Sequence, residues 1–198
     1  VPSNLNSKQK ELLEEFRKIE SEKSSPIIKN FFEKAKKLFS VLTPDILKTN
    51  FVNAELVKLY NNIQRYISFA VANQFALISD NFGGNVFEAI HLANFKYPRC
   101  NIPNPGLTAG TCLRKDFGMI NEWNPYPDLF LSAWKINEYT PTMIVSQLDK
   151  RFSLFKKNVV ILGFTFKKDT DDIRDSLVPK IYRYIKRKIP RKIKISDH

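Results

Sequence analysis

The chain has 198 residues, 43% hydrophobic and 26% charged, a balance that predicts a globular protein with its own core and excludes a largely disordered chain. Its 32 basic and 20 acidic residues give a formal net charge of +12. That excess favours an anionic partner, such as a phosphorylated ligand, a nucleic acid or a membrane surface. A general lysine-rich bias in the source proteome is the alternative explanation.

The sequence contains neither an apolar run of about 18 residues nor a signal-peptide pattern, so we expect no membrane-spanning helix, no membrane partner and a cytoplasmic protein. It lacks an initiator methionine, so we expect a fragment or a processed product. Two cysteines and two histidines are too few for a disulfide framework or a metal cluster, and we predict no metal site. One cysteine can still be a catalytic nucleophile.

The N-terminal part of the chain has the periodicity of helices. Apolar residues recur at helical spacing over residues 5–39, and the sequence before Pro26 predicts that a second helix starts there. A break follows at residues 42–44, which contain a proline. Residues 46–51 fit either a short strand or a turn.

The middle of the chain predicts a long helix over residues 54–81, because apolar side chains form a broad stripe along it. Two glycines end this helix, and a short helix is expected over residues 85–93. Residues 94–112 are rich in proline and glycine and predict an irregular loop of the kind that is often functional. Helical patterning resumes near Asp116 and then runs over residues 129–155.

The last part of the chain changes from helical to alternating structure. Residues 158–163 form an apolar, β-branched run closed by glycine, as in a buried parallel strand. A helix over residues 172–188 and a strand over residues 193–195 complete one βαβ unit. Because two strands alone are marginal, we expect this unit to pair with something else or to remain marginally stable.

These elements predict a mainly α protein: a helical middle, or dimerisation, domain with a long central helix, followed by the first βαβ unit of a truncated Rossmann-like domain. We place an N-terminal helical segment at residues 1–44, the helical central domain at residues 45–155 and the partial α/β domain at residues 156–198.

Cys112 is the first candidate for chemistry. Gly106 and Gly110 allow the backbone of its loop to approach a ligand closely, and the neighbouring Arg114 and Lys115 favour the reactive thiolate form. Asp116 follows one helical turn later and can orient a reacting group or act as a base. A buried structural cysteine in a Pro/Gly-rich loop is the alternative.

Two further patterns carry polar groups that suit a ligand site. Lys58 and Asn62 are four residues apart, so on a helix they share one face and can hold an oxyanion or a water, although a solvated helix face is the usual explanation for such a pair. Residues 163–176 lie between a strand and a helix, where α/β proteins bind ligands. Four aspartates there raise a divalent metal as a weak alternative, since basic residues are interspersed among them.

Together these segments resemble the UDP-glucose/GDP-mannose dehydrogenase family, which oxidises a nucleotide-sugar alcohol to a carboxylate in two NAD-dependent steps. The resemblance spans roughly residues 16–198. It rests on four motifs in the right order: Ala54-Glu55-x-x-Lys58-x-x-x-Asn62, Tyr97-Pro98-Arg99, Pro105-Gly106 with Gly110-x-Cys112-x-x-Lys115-Asp116, and Leu162-Gly163-x-x-Phe166-Lys167-x-x-Thr170-x-Asp172-x-Arg174-x-Ser176.

The resemblance implies a role for each matching residue. Cys112 is the nucleophile that captures the aldehyde, Lys58 stabilises the oxyanion, and Asn62 and Asp116 position or activate water. It assigns these residues to the UDP-sugar: Arg99 (reaching into the neighbouring subunit's site), Asn104, Pro105, Gly106, Leu107, Thr108, Ala109, Gly110, Phe166 and Lys167. It assigns Lys115 and Arg174 to NAD. It further implies a homodimer through the long helix and a part in polysaccharide biosynthesis.

The sequence also departs from the family pattern. Gln74 stands where members usually carry Glu, Thr108-Ala109-Gly110 replaces a Gly-aromatic-Gly-Gly loop, and no G-x-G-x-x-G fingerprint occurs. We therefore expect an NAD-binding domain outside this sequence, before residue 1 or on a separate chain, and no oxidation of UDP-glucose-like substrates by this chain alone. A non-catalytic dimerisation or nucleotide-sugar-binding module is the second hypothesis. A basic nucleic-acid-binding protein is the third and least favoured.

Overall fold

The computed structural model describes residues 26–197, together with the isolated positions Ser7, Lys8, Lys10, Glu11, Glu14 and Lys18. The helix predicted before Pro26 therefore lies mostly outside the described residues. The chain divides into two compact units, Val1–Leu56 and Val57–His198. The boundaries predicted near residues 44 and 155 stay predictions.

The first unit contains α1, Pro26–Phe39, which begins at the proline expected to start a helix. Residues 46–50, predicted as a strand or turn, do not form a strand. The next helix, α2 (Phe51–Asn81), begins three residues before its predicted start. The side chain of Asn50 explains this early start, since its Oδ1 accepts a hydrogen bond of 2.7 Å from the backbone N–H of Asn53. An asparagine in this place satisfies an N–H group that the first turn leaves free.

Three more helices follow α2 in the second unit: α3 (Val86–Asn94), α4 (Thr111–Asn121) and α5 (Asp128–Phe152). One face of α2 and the inner faces of α4 and α5 form a small core, which includes the buried side chains of Ile63, Tyr66, Ala70, Phe117 and Ala133. The ring of Phe117 lies 4.7 Å from that of Tyr66 and 5.6 Å from that of Phe130, measured between centroids. Within the described residues, no helix is both long and apolar enough to cross a bilayer.

The C-terminal part is the predicted βαβ unit. Strands β1 (Asn158–Leu162) and β2 (Lys192–Ser196) pair in parallel, and α6 (Val178–Lys186) connects them. The inward side chains of both strands and of α6 pack on the end of α5, in a cluster made of Val145, Leu154, Val159, Ile161, Ile181, Tyr184, Ile185 and Ile193. The mainly α fold with a short parallel sheet is therefore confirmed, and α5 supplies a second layer for that sheet.

Two predicted helix starts are wrong. The last helix begins at Val178 instead of residue 172, because the preceding residues satisfy their N–H groups through side-chain turns. Asp172 N donates to Thr170 Oγ1 at 3.2 Å, and Arg174 N donates to Asp172 Oδ1 at 3.0 Å. Helix α4 begins at Thr111, about five residues before the predicted start, so the candidate nucleophile lies in its first turn.

Candidate functional site

A cleft of about 640 Å³ lies where α2, the start of α4 and the loop after β1 meet. Residues far apart in the sequence line it: Asn62, Arg65, Phe69, Leu107, Thr108, Ala109, Gly110, Thr111, Cys112, Leu113, Phe166, Lys167, Asp172 and Arg174. Three of the four sequence motifs thus contribute to one concave surface. Its lining combines a thiol, an amide, the backbone of a glycine-containing loop and three cationic side chains, of which Arg174 is paired with Asp172. This set suits a polar, anionic ligand.

Cys112 is exposed, carries a free thiol and occupies the first turn of α4. The chain reaches this position through Gly110, whose φ of +100° is a left-handed conformation that other residues adopt only with strain. The nearby cations are engaged by carboxylates: Arg114 pairs with Glu138 at 3.0 Å, and Lys115 lies 3.8 Å from Asp116. The thiol is therefore presented by a helix start and an unusual turn, with both neighbouring cations turned to other partners.

Asn62 and Asp116 form a direct pair behind the cleft. Asn62 Nδ2 donates to Asp116 Oδ2 at 2.6 Å, and the Asp116 side chain is almost fully buried. This bond joins the middle of α2 to α4 and fixes the Asn62 amide at the cleft wall. Asp116 does not line the cleft itself and acts on it through Asn62.

The loop after β1 forms the opposite wall. A Cβ built on Gly110 would lie 3.2 Å from the ring of Phe166, so a side chain here would press on that ring in addition to straining the positive φ. Arg174 also lines this wall and donates through Nε and a terminal nitrogen to Asp172, at 2.8 Å each. These bonds to Arg174 lower the pKa of Asp172 to about 2.

Two asparagines that the sequence analysis did not single out hold the loop between α3 and α4. Asn73, on α2 and almost fully buried, accepts from Gly106 N at 2.8 Å and donates to Gly106 O at 3.1 Å. In the same way, Asn94 accepts from Ile102 N at 2.9 Å and donates to Ile102 O at 2.8 Å. Each amide thus replaces the pair of backbone bonds that a strand partner would make. An asparagine at the core-facing spacing of a helix is the only sequence signal for such a role.

Asn73 is held in turn by Asn137 of α5. Asn73 Nδ2 donates to Asn137 Oδ1 at 3.1 Å, and Asn137 Nδ2 donates to the backbone oxygen of Tyr66 at 3.0 Å. Burial, followed by the charge of Glu138, raises the pKa of Tyr66 to about 12. The loop between α3 and α4 is therefore anchored through Asn73 and Asn137 to the helical core.

The remaining predicted site residues lie outside this cleft. Lys58 is exposed, one helical turn before Asn62, and makes no hydrogen bond or ion pair within the described part of the chain. Arg99 and Asn104 are exposed, Pro105 and Gly106 line a neighbouring cleft of about 520 Å³, and Lys115 lines another of about 580 Å³. Among the described residues, no group of three His, Cys, Asp or Glu side chains is placed to hold a metal ion.

Residues 52–139 match the central domain of the UDP-glucose/GDP-mannose dehydrogenase family. Residues 8–41 match the C-terminal region of the chaperone protein DnaJ. The chain is 37% identical to the UDP-N-acetyl-D-mannosamine dehydrogenase of Methanocaldococcus jannaschii over 176 residues, which cover 87% of this chain and 39% of that protein. It is 34% identical to the Escherichia coli enzyme of the same name, over 77% of this chain and 39% of that one.

Solved structures give the same result. A UDP-D-ManNAc dehydrogenase from Pyrococcus horikoshii superposes with a TM-score of 0.66 at 34% identity, over 83% of this chain and 42% of that one. A UDP-glucose dehydrogenase from Pyrobaculum islandicum shares the fold, with a TM-score of 0.74 at 22% identity over 88% of this chain and 41% of that one. The chain thus spans about two fifths of the length of the relatives it matches. Through its central domain, it belongs to the UDP-glucose/GDP-mannose dehydrogenase family.

Proposed function

We propose that the cleft at Cys112 is the nucleotide-sugar site of an NAD-dependent UDP-sugar 6-dehydrogenase, of which this chain is a part. One observation carries the proposal. The cleft unites five residues that the family motifs assign to the reaction, from three separated segments: Asn62, Cys112, Phe166, Lys167 and Arg174. A dimerisation module without a ligand would not need a thiol and three cations to converge on one concave surface.

The chemistry proposed for this chain's residues is covalent capture of an aldehyde. The Cys112 thiolate adds to the aldehyde carbon, so an S–C bond forms and the carbonyl electron pair moves to oxygen. After the oxidation that makes a thioester, water adds to the carbonyl and the thiolate leaves with the electrons of the C–S bond. Asn62 suits the positioning of that water, because Asp116 fixes its amide at the cleft wall. Lys58, one turn away, is proposed to reach the oxyanion.

NAD, when bound, would supply the hydride acceptor for this reaction. Arg174 lines the cleft and is paired with Asp172, whereas Lys115 lines the neighbouring cleft of about 580 Å³ beside Asp116. Each would meet the anionic pyrophosphate of a dinucleotide by exchanging its carboxylate partner for a phosphate. The G-x-G-x-x-G fingerprint does not occur in the sequence. We propose that a separate NAD-binding domain or chain completes the cofactor site, and that this chain's residues contribute only its edge.

For the sugar, we propose UDP-N-acetyl-D-mannosamine ahead of UDP-glucose. The family motifs predict a UDP-glucose-like substrate, but the curated relatives above, which are more than 30% identical over the matched region, carry the name UDP-N-acetyl-D-mannosamine dehydrogenase. The loop that lines the cleft, Leu107 to Gly110, also departs from the Gly-aromatic-Gly-Gly sequence. Isothermal titration of the chain with UDP-N-acetyl-D-mannosamine, UDP-glucose and GDP-mannose tests the order of affinities.

Substitutions of the neighbouring residues Lys167 and Lys168 provide a matched test of the proposed site. Lys167 lines the cleft, whereas the Lys168 side chain is 91% exposed beside Asp169. Replacing Lys167 by Ala removes a cation from the proposed phosphate environment and should weaken UDP-sugar binding roughly tenfold, as expected for one charge-assisted hydrogen bond of 1.5 kcal/mol or so. Lys168→Ala should leave binding unchanged. Equal effects of the two substitutions, or no binding of any UDP-sugar, would remove the basis of the proposal.

We further propose that the chain forms a homodimer through α2. This helix has two apolar stripes: one is buried in the core, and the other remains exposed. The exposed stripe follows the spacing of a helix seam and consists of Val57, Tyr60, Val71, Phe75 and Ile78, with the polar pair Gln64 and Ser68 at its centre. An exposed apolar stripe of this length is typical of an interface.

Sedimentation tests the proposed dimer. The chain should be dimeric at tens of micromolar (roughly the range for an interface of ordinary size), and Val71→Glu should make it monomeric.

A further inference from the structure

Two ion pairs join α5 to the two ends of the α6 segment, one to Lys180 in α6 and one to Lys188 just after it, and they lie at different distances from the cleft. Lys180 Nζ contacts Glu138 Oε2 at 2.9 Å and also donates to the backbone oxygen of Glu138 at 2.7 Å. Lys188 Nζ contacts Asp149 Oδ2 at 2.9 Å. The acidic partners are eleven residues apart on α5, which places them about 16 Å apart along the helix axis. The two pairs have the same chemistry, but only the first lies near the site.

Glu138 also holds a third helix. Its other carboxylate oxygen, Oε1, lies 3.0 Å from a terminal nitrogen of Arg114 on α4, and Arg114 lies 3.8 Å from Asp175 in the loop before α6. The side chains of Glu138, Lys180 and Arg114 are 19, 23 and 33% exposed, so water screens them only in part. A single carboxylate thus contacts two cations, one from α4 and one from α6, and Asp175 adds a second negative charge near Arg114.

The elements that Glu138 joins carry the two walls of the cleft. Arg114 follows Cys112 by two residues on α4, whereas α6 is preceded by the loop with Phe166, Lys167 and Arg174. Removing the Glu138 charge would take away the carboxylate that Lys180 contacts and leave Arg114 with its longer contact to Asp175, at 3.8 Å. The repulsion between Arg114 and Lys180 would then push α4 away from the N-terminal end of α6.

We propose that Glu138 is a positioning residue, which sets the separation between the Cys112 helix and the wall formed by residues 163–177. The inference rests on the proposed function for its consequence, because a ligand that touches both walls binds well only when their spacing is right. Small displacements of positioned groups have large effects on binding and catalysis. The Asp149–Lys188 pair, in contrast, only holds the far end of α6.

The test compares Glu138→Gln with Asp149→Asn in the full chain. Both substitutions keep the side-chain shape and remove one charge from a pair between α5 and a lysine, so both should lower the melting temperature. Asp149 Oδ1 also accepts from Leu154 N at 2.9 Å, a bond that the amide oxygen of asparagine can keep. Only Glu138→Gln should weaken binding of UDP-N-acetyl-D-mannosamine, by roughly tenfold or more. Equal loss of affinity in the two variants would mean that Glu138 has a merely structural role and would overturn the proposal.

A second measurement needs no ligand and separates this inference from the proposed function. Hydrogen exchange should become faster over residues 163–177 in Glu138→Gln and stay unchanged there in Asp149→Asn. The effects of Arg114→Gln and Lys180→Met on the free energy of unfolding should also be non-additive, since both residues contact Glu138. This coupling energy should vanish in the Glu138→Gln background. Unchanged exchange in Glu138→Gln, or additive effects throughout, contradicts the positioning role. If the wild-type chain binds no UDP-sugar but the exchange pattern holds, only the proposed function fails.

Discussion

Residues 95–110 and 163–177 both lack regular secondary structure and both contribute side chains to the cleft at Cys112, the first loop only through residues 107–110, but they are held in different ways. The first loop is fixed from outside, by the side-chain amides of Asn73 and Asn94 on neighbouring helices. The second is fixed mainly from within: Ser176 Oγ donates to the backbone oxygen of Phe164, and Asp172 accepts from Arg174. One loop therefore depends on the helical core, and the other depends on its own charged and hydroxyl side chains.

This difference matters because amides do not titrate and carboxylates do. The first wall should keep its position over a wide pH range, and its loss should coincide with loss of the core. The second wall should respond to pH, salt and single surface substitutions while the core stays folded. A ligand cleft built from one wall of each kind can vary its ligand contacts without changing its scaffold.

The largest effect is expected for Asn73→Ala. The substitution leaves the N–H and C=O of Gly106 and the Oδ1 of Asn137 without their partner in a buried place. At about 1–3 kcal/mol for each unsatisfied group, with partial relief by water, the free energy of unfolding should fall by about 3–5 kcal/mol. Urea unfolding measures this loss in the free energy of unfolding. Asn94→Ala, in a more exposed place, is the control and should cost about half as much or less. Equal losses would contradict the special anchoring role of Asn73.

The next effect concerns the contact between the two loops. Gly110→Ala forces a side chain into a φ of +100° and to within 3.2 Å of the Phe166 ring, so it should destabilise the chain by about 2 kcal/mol. Gly118→Ala is the matched control, because it lies within α4 with open space around it. That substitution should stabilise the chain by about 0.5–1 kcal/mol through helix propensity. Thermal unfolding of both variants measures these changes in stability. An unchanged melting temperature in Gly110→Ala would contradict the predicted strain.

The third prediction uses pH to separate the two walls. Hydrogen bonds from Arg174 lower the pKa of Asp172 from its ordinary value of 3.8 to about 2. Because the folded-state pKa is depressed, this contribution to stability is present above about pH 4 and is lost as the pH falls through about 2. The Arg174 amide resonance should therefore shift with a midpoint near pH 2, whereas that of Gly106 should not follow it. The step should disappear in Asp172→Asn, and a midpoint near 3.8 would contradict the bonded pair.

The smallest effect is expected for the two thiols. Cys112 is exposed at the cleft and Cys100 is half-buried in the first loop, so iodoacetamide should alkylate Cys112 faster at neutral pH. Mass-spectrometric mapping after brief labelling measures both rates in one sample. Cys112→Ser serves as the control that isolates Cys100. Equal rates, or faster labelling of Cys100, would indicate that the site environment is not formed in this chain.

The helices and the βαβ unit could be predicted from the sequence because their apolar periodicity is strong and local. The start of α6 could not, because residues 172–176 have helical composition but use their side chains for turns, and Asp175 adopts a positive φ of 55°. The four family motifs located Cys112, Asn62 and the 163–176 segment. They could not show that Asn73 and Glu138 hold the walls, because both roles depend on contacts between residues 33 and 42 positions apart in the chain.

The most direct test of the central claim, that two walls and Cys112 form one UDP-sugar site, is ligand protection of the thiol. Wild-type chain is labelled with iodoacetamide with and without millimolar UDP-N-acetyl-D-mannosamine, and Cys100 serves as the internal reference. The account predicts that the nucleotide sugar slows alkylation of Cys112 and leaves Cys100 unchanged, and that Lys167→Ala weakens this protection. Alkylation of Cys112 at the same rate with and without the ligand, at concentrations where binding is measured by titration, would place the ligand elsewhere and contradict the account.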